Sequence, residues 1–289
     1  MKTYNVVLDI KRIRAFFSLS QEQFAEAISV SRLSITRYER SLTFPDNNIL
    51  ESIYSFAYGK HGEKLNLNKA KEQFYFEDCK GKKLLFHGAK GSIEGNIDIY
   101  HSLSPNDFGD GFYAGESLFQ AASWVCLNKK SSVYCFYFDD HNLKHIEFNV
   151  GRKWMYAILY YRGALTNRVI PEEIKSIIKE VENSDYLIAP IADNEMYRIL
   201  NKFINNEISD EACIHALAAT NLGMQYVFKT MKACQRLEFV DRLYLCHNER
   251  EDYGRQQELL SENASQKNEL AMIEYNRKGL FFNELFKRI

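Results

Sequence analysis

The sequence predicts an α+β protein in two parts: an all-α N-terminal bundle, then a longer region where strands and helices mix. Three observations carry this. Helix start signals recur at Ser20, Ser31 and Pro45–Asp46, each ahead of apolar residues at helical spacing. From Lys82 onward, short β-branched and aromatic runs are interspersed with helical patterns of unequal length, without a regular βαβ rhythm. No GxGxxG or GxxxxGK[ST] stretch occurs, so neither a doubly wound dinucleotide fold nor a P-loop is supported.

A chain of 289 residues suits two domains, or one with an appended module. Its 46% apolar and 26% charged residues are ordinary for a folded protein, and its 14% aromatic content is accounted for by core strands. Net charge is −1, so the overall balance selects no partner, although the first seventy residues carry ten Lys/Arg against seven Asp/Glu. Six cysteines without a CxxC pair, most in apolar surroundings, read as buried free thiols in a reducing compartment; no metal site is expected. The N-terminus lacks an apolar export region and no run approaches eighteen apolar residues, so a cytoplasmic protein without membrane contact is expected.

Residues 9–58 read as four or five short helices. Ser20 caps a helix with Phe24, Ala27 and Ile28 as its apolar positions. Ser31 caps the next, with Ile35 and Tyr38 turned inward, and Pro45–Asp46 open another that ends near Ala57. Only Ser29 and Val30 separate the first two, the short connection a helix-turn-helix needs. The run LSQEQFAEAI–VSRLSITRYER followed by PD resembles repressor-like (Xre-type) helix-turn-helix modules, usually with Gly where Ser29 stands; a left-handed Ser29 is therefore expected. The resemblance implies that Gln21 bonds a DNA phosphate and that Arg32, Leu33 and Arg37 face the major groove, where arginine can read guanine. It also implies a dimer, since one copy binds weakly. The same bundle serves equally as a docking or dimerisation module without DNA contact.

Residues 63–80 are polar and charge-mixed and read as a linker with partial helix and an edge strand near 73–76. Beyond it, strands are expected at 83–87, 133–139, 144–148, 186–191, 225–230 and 236–244, and helices at 116–127, 152–161, 171–182, 194–205 and 210–219.

Three distant fragments carry the chemistry. KLLFHGA ends a strand at His87–Gly88; GDGFYAG puts Tyr113 among glycines, with Trp124 eleven residues on; QYVFKT opens a strand at Gln225. A lone histidine at a strand end is commonly structural, and two aromatics are commonly core. Together the three fragments resemble the signature of the ADP-ribosyltransferase superfamily, in its branch with the diphtheria toxin and poly-ADP-ribose polymerases, whose core is a split β-sheet. The resemblance implies NAD as substrate: His87 on the adenosine-side ribose, Gly88 on the nicotinamide amide, Tyr113 and Trp124 as two walls of the nicotinamide slot, and Gln225 at the nicotinamide ribose. QRLEF from Gln235 matches the family's following segment, so the register is fixed.

The family has Glu where this chain has Gln225. Glutamine accepts a hydrogen bond from a ribose hydroxyl but brings neither full negative charge nor a base, which favours single transfers over chain elongation. DFGDGFYAG, DYLIAPIADNEMY and QYVFKTMKAC also resemble an uncharacterised bacterial family of the same superfamily, in which this strand tends to begin with Gln. Asp193 and Asn194 either reach the cleft or cap the following helix.

The expected organisation is a helix-turn-helix domain (1–62), a linker (63–80), an NAD-binding ADP-ribosyltransferase-like domain (81–250) and a C-terminal helical extension (251–289). The apolar end of that extension, Leu280, Phe281, Phe282, Leu285 and Phe286, either packs back or meets a partner. The expected activity is mono-ADP-ribosyl transfer from NAD to a protein or nucleic acid, in a toxin or phage-defence setting with DNA and a neutralising antitoxin as further partners. The rivals are a transcription regulator that senses NAD without catalysis, and an NAD glycohydrolase.

Overall fold

The computed structural model of the chain describes residues 3–100, 106–192, 194–219, 223–276 and 278–288. Capping chemistry starts the first helices. α1 (Val6–Phe16), α2 (Gln21–Ala27), α3 (Arg32–Glu39) and α4 (Asn47–Tyr58) succeed one another across short turns. Ser20 and Gln23 form a reciprocal capping box on α2, Ser31 accepts from the Ser34 amide, and Asp46 accepts from the Asn48 and Ile49 amides. The first three helices end through left-handed serines, Ser18, Ser29 and Ser41, at φ 54–58°. The residue after each serine bonds back five positions: Leu19 to Arg14, Val30 to Ala25 and Leu42 to Arg37, all at 2.9 Å. Phe24, Ile28, Ile35 and Tyr38 are buried as expected; Ala25, rather than Ala27, completes the buried face of α2.

The expected linker with an edge strand is instead a helix, α5 (Leu67–Asp78), capped by Asn66. Its buried residues are Leu67, Asn68, Lys71 and Tyr75, a helical spacing with two polar members. The polar members hide the stripe from a hydrophobicity pattern, while exposed Phe74 and Phe76 imitate a strand.

The remaining elements include each expected strand and helix in order, with a strand at Phe112–Gly115 and short helices at Met231–Cys234 and Phe282–Leu285 in addition. They are β1 (Lys83–Ala89), β2 (Phe112–Gly115), α6 (Leu118–Val125), β3 (Ser132–Phe138), β4 (His145–Glu147), α7 (Arg152–Tyr161) and α8 (Glu172–Glu182). Then come β5 (Tyr186–Pro190), α9 (Asn194–Ile204), α10 (Asp210–Ala218), β6 (Met224–Phe228), α11 (Met231–Cys234), β7 (Leu237–Tyr244), α12 (His247–Tyr275) and α13 (Phe282–Leu285). The protein is α+β.

Two compact units interleave along the sequence. The first comprises Met1–Gly95, Ser117–Phe138 and Glu238–Gln256. It holds α1–α5, α6 and strands in the order β1-β3-β7, with β1 antiparallel to β3. Its helical core reaches Tyr244 and Cys246 at the end of β7. Within it, buried Lys71 of α5 meets Asp9 of α1 at 2.6 Å and Asp241 of β7 at 2.9 Å; Tyr54 and Tyr75 donate to the same two carboxylates. Burial pulls the Lys71 ammonium down, but the two carboxylates outweigh it and hold the group charged.

The second unit comprises Asn96–Glu116, Asp139–Leu237 and Gln257–Ile289. Its strands run β4-β5-β6-β2, with β4 parallel to β5 and the other pairs antiparallel. α7–α10 share one apolar core with Leu187, Ala189 and Val227 of the sheet. Phe282 and Phe286 are buried in that core, so the C-terminal apolar end packs back, while Leu280 stays exposed. All six cysteines are free, five of them buried. No helix among the described residues is long and apolar enough to cross a membrane.

Candidate functional site

In the second unit, strand register brings Tyr113 and Gln225 to one face. Tyr113 lies opposite Val227 and Gly115 opposite Gln225; on the other side of β6, Ala189 lies opposite Gln225. Directly opposed residues share a face of a sheet. That face is the one carrying Leu187, Ala189 and Val227 into the helical core.

The approach to Tyr113 is a tightly tied loop. Gly109 takes φ +70°, where a side chain would be strained, and a Cβ there would stand 3.1 Å from the Tyr161 ring. The Tyr113 hydroxyl donates to Gly109 O at 2.7 Å and accepts from the Phe108 amide at 3.2 Å. Lys229 Nζ donates to Phe108 O at 2.7 Å and also to Asp110 O. Burial pushes the Tyr113 phenol up and the Lys229 amine down. The Tyr113 phenol is thereby held neutral, with its hydroxyl engaged in both hydrogen bonds.

Gln225 is 8% exposed and its amide is fully engaged on the nitrogen side. Nε2 donates to Asp107 Oδ2 at 3.0 Å and to Pro190 O at 3.1 Å. Asp107 is equally buried, and its Oδ1 accepts from Arg162 Nη2 at 2.9 Å and Nε at 3.3 Å, and from the Tyr197 hydroxyl. The Arg162 guanidinium lies 4.0 Å from the Tyr197 ring centroid. Burial, and then the Asp107 charge, push the Tyr197 phenol up, which keeps it a donor. Sequence reasoning assigned nothing to Asp107, Arg162 and Tyr197. Asp107 and Tyr197 stand inside the quoted DFGDGFYAG and DYLIAPIADNEMY strings, which was the signal available. Asn194 begins α9; Asp193 lies outside the described residues.

In the first unit, His87 is half-buried on β1 opposite Tyr134 of β3. The adjacent Gly88 has a packing reason: a Cβ there would stand 2.2 Å from Ala121 O on α6, so helix backbone occupies that approach. Ser117 and Gln120 cap α6 with a reciprocal box, and the helix presents Trp124 at 60% exposure. Trp124 is therefore no core residue.

The α1–α4 bundle is also in this unit. Ser29 takes the expected left-handed conformation, φ 58°. Arg32, Leu33 and Arg37 are exposed along α3 with Arg40. Gln21 is not turned outward alone: Nε2 donates to Glu39 at 2.7 Å, and Oε1 accepts from Thr36 at 3.0 Å. Glu39 is further held by Arg14 at 2.7 Å.

A family model described as Protein of unknown function (DUF3990) matches residues 83–239, more than half of the chain. The chain belongs to this family. The DUF3990 span opens at the first residue of β1 and closes inside β7. It takes in His87, Gly88, Asp107, Tyr113, Trp124, Arg162, Tyr197 and Gln225, and leaves α1–α5 and α12 outside. No curated protein and no solved structure matches the chain. Among the described residues, no group of three or more His, Cys, Asp or Glu is arranged to hold a metal ion.

Proposed function

We propose that this DUF3990 protein is a mono-ADP-ribosyltransferase that uses NAD to modify a protein or nucleic acid, with its α1–α4 bundle as a DNA-binding module. The observation that carries the reading is Tyr113 and Gln225 on one face of neighbouring strands, with a buried carboxylate, Asp107, bound to Gln225. In the reaction the bond from ribose C1′ to the nicotinamide nitrogen breaks, and its electron pair leaves with nicotinamide. An acceptor nucleophile bonds to C1′ and gives up its proton. Gln225 Oε1 accepts the ribose 2′-hydroxyl, and Tyr113 offers a ring for nicotinamide to stack on. The resemblance also assigns NAD contacts to His87, Gly88 and Trp124.

Positive charge spreads over the ribose as the bond breaks, and an amide stabilises it less than a carboxylate. Single transfer to an acceptor that is already nucleophilic fits this better than elongation of a chain. The setting is the cytoplasm, as a toxin or phage-defence effector with a neutralising partner and a dimeric DNA-bound form.

The test is incubation with labelled NAD and cell lysate, followed through label in macromolecules and release of nicotinamide. Label in protein or nucleic acid is the expected result. Free ADP-ribose without macromolecular label identifies a glycohydrolase, and NAD retained intact identifies a sensor. His87→Ala and Gln225→Ala each lower turnover, Gln225→Ala by about 10²–10³-fold; full activity in both variants overturns the assignment.

A further inference from the structure

Four separate segments of the second unit converge on one carboxylate: the loop before β2 (Asp107), the end of α7 (Arg162), α9 (Tyr197) and β6 (Gln225). A free glutamine side chain can exchange its oxygen and nitrogen by a half-turn of the amide. Here both Nε2 protons are committed, one to Asp107 and one to Pro190 O, so the amide cannot turn without breaking two buried bonds. The remaining group, Oε1, has no hydrogen-bond partner among the described residues. It is the atom left to meet a ligand.

The same geometry explains why an amide stands in this position. A glutamate at 225 would set its carboxylate against Asp107 and against a backbone carbonyl, at the 3.0–3.1 Å the glutamine nitrogen now spans. Like charges at that separation oppose ionisation. With glutamine, the Asp107 charge instead draws on the amide N–H and leaves Oε1 a stronger acceptor.

We propose that Asp107, seated by Arg162 and Tyr197, is a positioning residue that orients and polarises Gln225, and that the Asp107–Gln225 pair acts as a unit where a single carboxylate would otherwise stand. The proposal rests on the reading of Gln225 as the ribose contact. Asp107 itself touches no substrate in this scheme: it acts through the amide.

The test compares wild type, Asp107→Asn, Tyr197→Phe, Gln225→Glu and the exchanged pair Asp107→Asn/Gln225→Glu. Each is followed by nicotinamide release from NAD and by the Gln225 side-chain amide signals in NMR. Asp107→Asn is expected to lower kcat about 10- to 100-fold, the range for losing a hydrogen bond to a charged group, with KM for NAD changed less than about threefold. Tyr197→Phe keeps the ring, folds, and lowers kcat less. Gln225→Glu alone gains activity only as pH rises, because its carboxyl must ionise beside Asp107, whereas the exchanged pair recovers activity and loses that pH dependence. In wild type the two Nε2 protons exchange slowly with water; in Asp107→Asn they exchange freely.

An unchanged kcat in both Asp107→Asn and Tyr197→Phe, or unaltered Gln225 amide exchange in Asp107→Asn, overturns the proposal. Should Asp107→Asn fail to fold, Tyr197→Phe and the exchanged pair decide it by the same two readouts. A wild type that neither cleaves nor binds NAD overturns the transferase reading instead, and the amide exchange still decides whether Asp107 holds Gln225.

Discussion

A serine in left-handed conformation is strained by its Cβ, and Ser29 accepts that strain so that α2 can hand over to α3 within four residues. Its side chain is exposed, so glycine there relieves the strain and removes no packing. Ser29→Gly is expected to stabilise by up to about 1 kcal/mol, the relief being partly offset by glycine's extra freedom when unfolded. Ser29→Val, β-branched at positive φ, is expected to destabilise by more than that. Urea denaturation of the full chain reads both as shifts of the midpoint. The conformation of Ser29 was legible because it stands where the repressor-like modules that this segment resembles usually have glycine. Asp107 was not. Its partners lie 55, 90 and 118 residues away, and no local pattern announces a bond of that span. The Gly88 position was legible as a close approach, but the backbone that approaches is α6.

At the level of elements, α7, α8 and β5 were read to within a residue or so because their buried residues are apolar. α5 defeated the pattern because its stripe is built around Asn68 and Lys71. The tertiary contacts that override the pattern are ionic. Lys71 neutralises two buried carboxylates from α1 and β7, Asp9 and Asp241, and the arrangement also takes hydrogen bonds from α4 and from α5 itself. Removing the cation leaves two buried like charges with only two tyrosine hydroxyls and the Arg242 amide donating to them. Lys71→Met is therefore expected to destabilise the first unit by about 3–5 kcal/mol, as when one partner of a buried ion pair is deleted. Guanidinium denaturation followed by circular dichroism measures it. A loss below about 1 kcal/mol would mean that the carboxylates are protonated or hydrated once the lysine is gone.

For the whole molecule, the net charge of −1 means that no general field draws the chain to nucleic acid. Any DNA binding has to come from a local face, and the exposed arginines of α3 and its C-cap supply one: Arg32, Arg37 and Arg40. Two consequences separate DNA recognition from a bundle kept only for docking. Affinity for duplex selected from a random library by the wild-type protein should fall steeply with salt, with a slope near 0.9 for each phosphate neutralised. The arginines should also divide in their effects. A base-reading arginine costs about 1–3 kcal/mol when cut to alanine and relaxes the preference at one base pair, whereas a phosphate-contacting one weakens all sequences alike and lowers the salt slope by about one. Arg37→Ala is expected to behave in the first way and Arg40→Ala in the second, with Lys267→Ala on α12 as an exposed control that changes neither. Fluorescence anisotropy across a salt series reads both quantities. Binding indifferent to Arg32 and Arg37 would assign the bundle to docking. The proposed NAD chemistry would then stand without a DNA address.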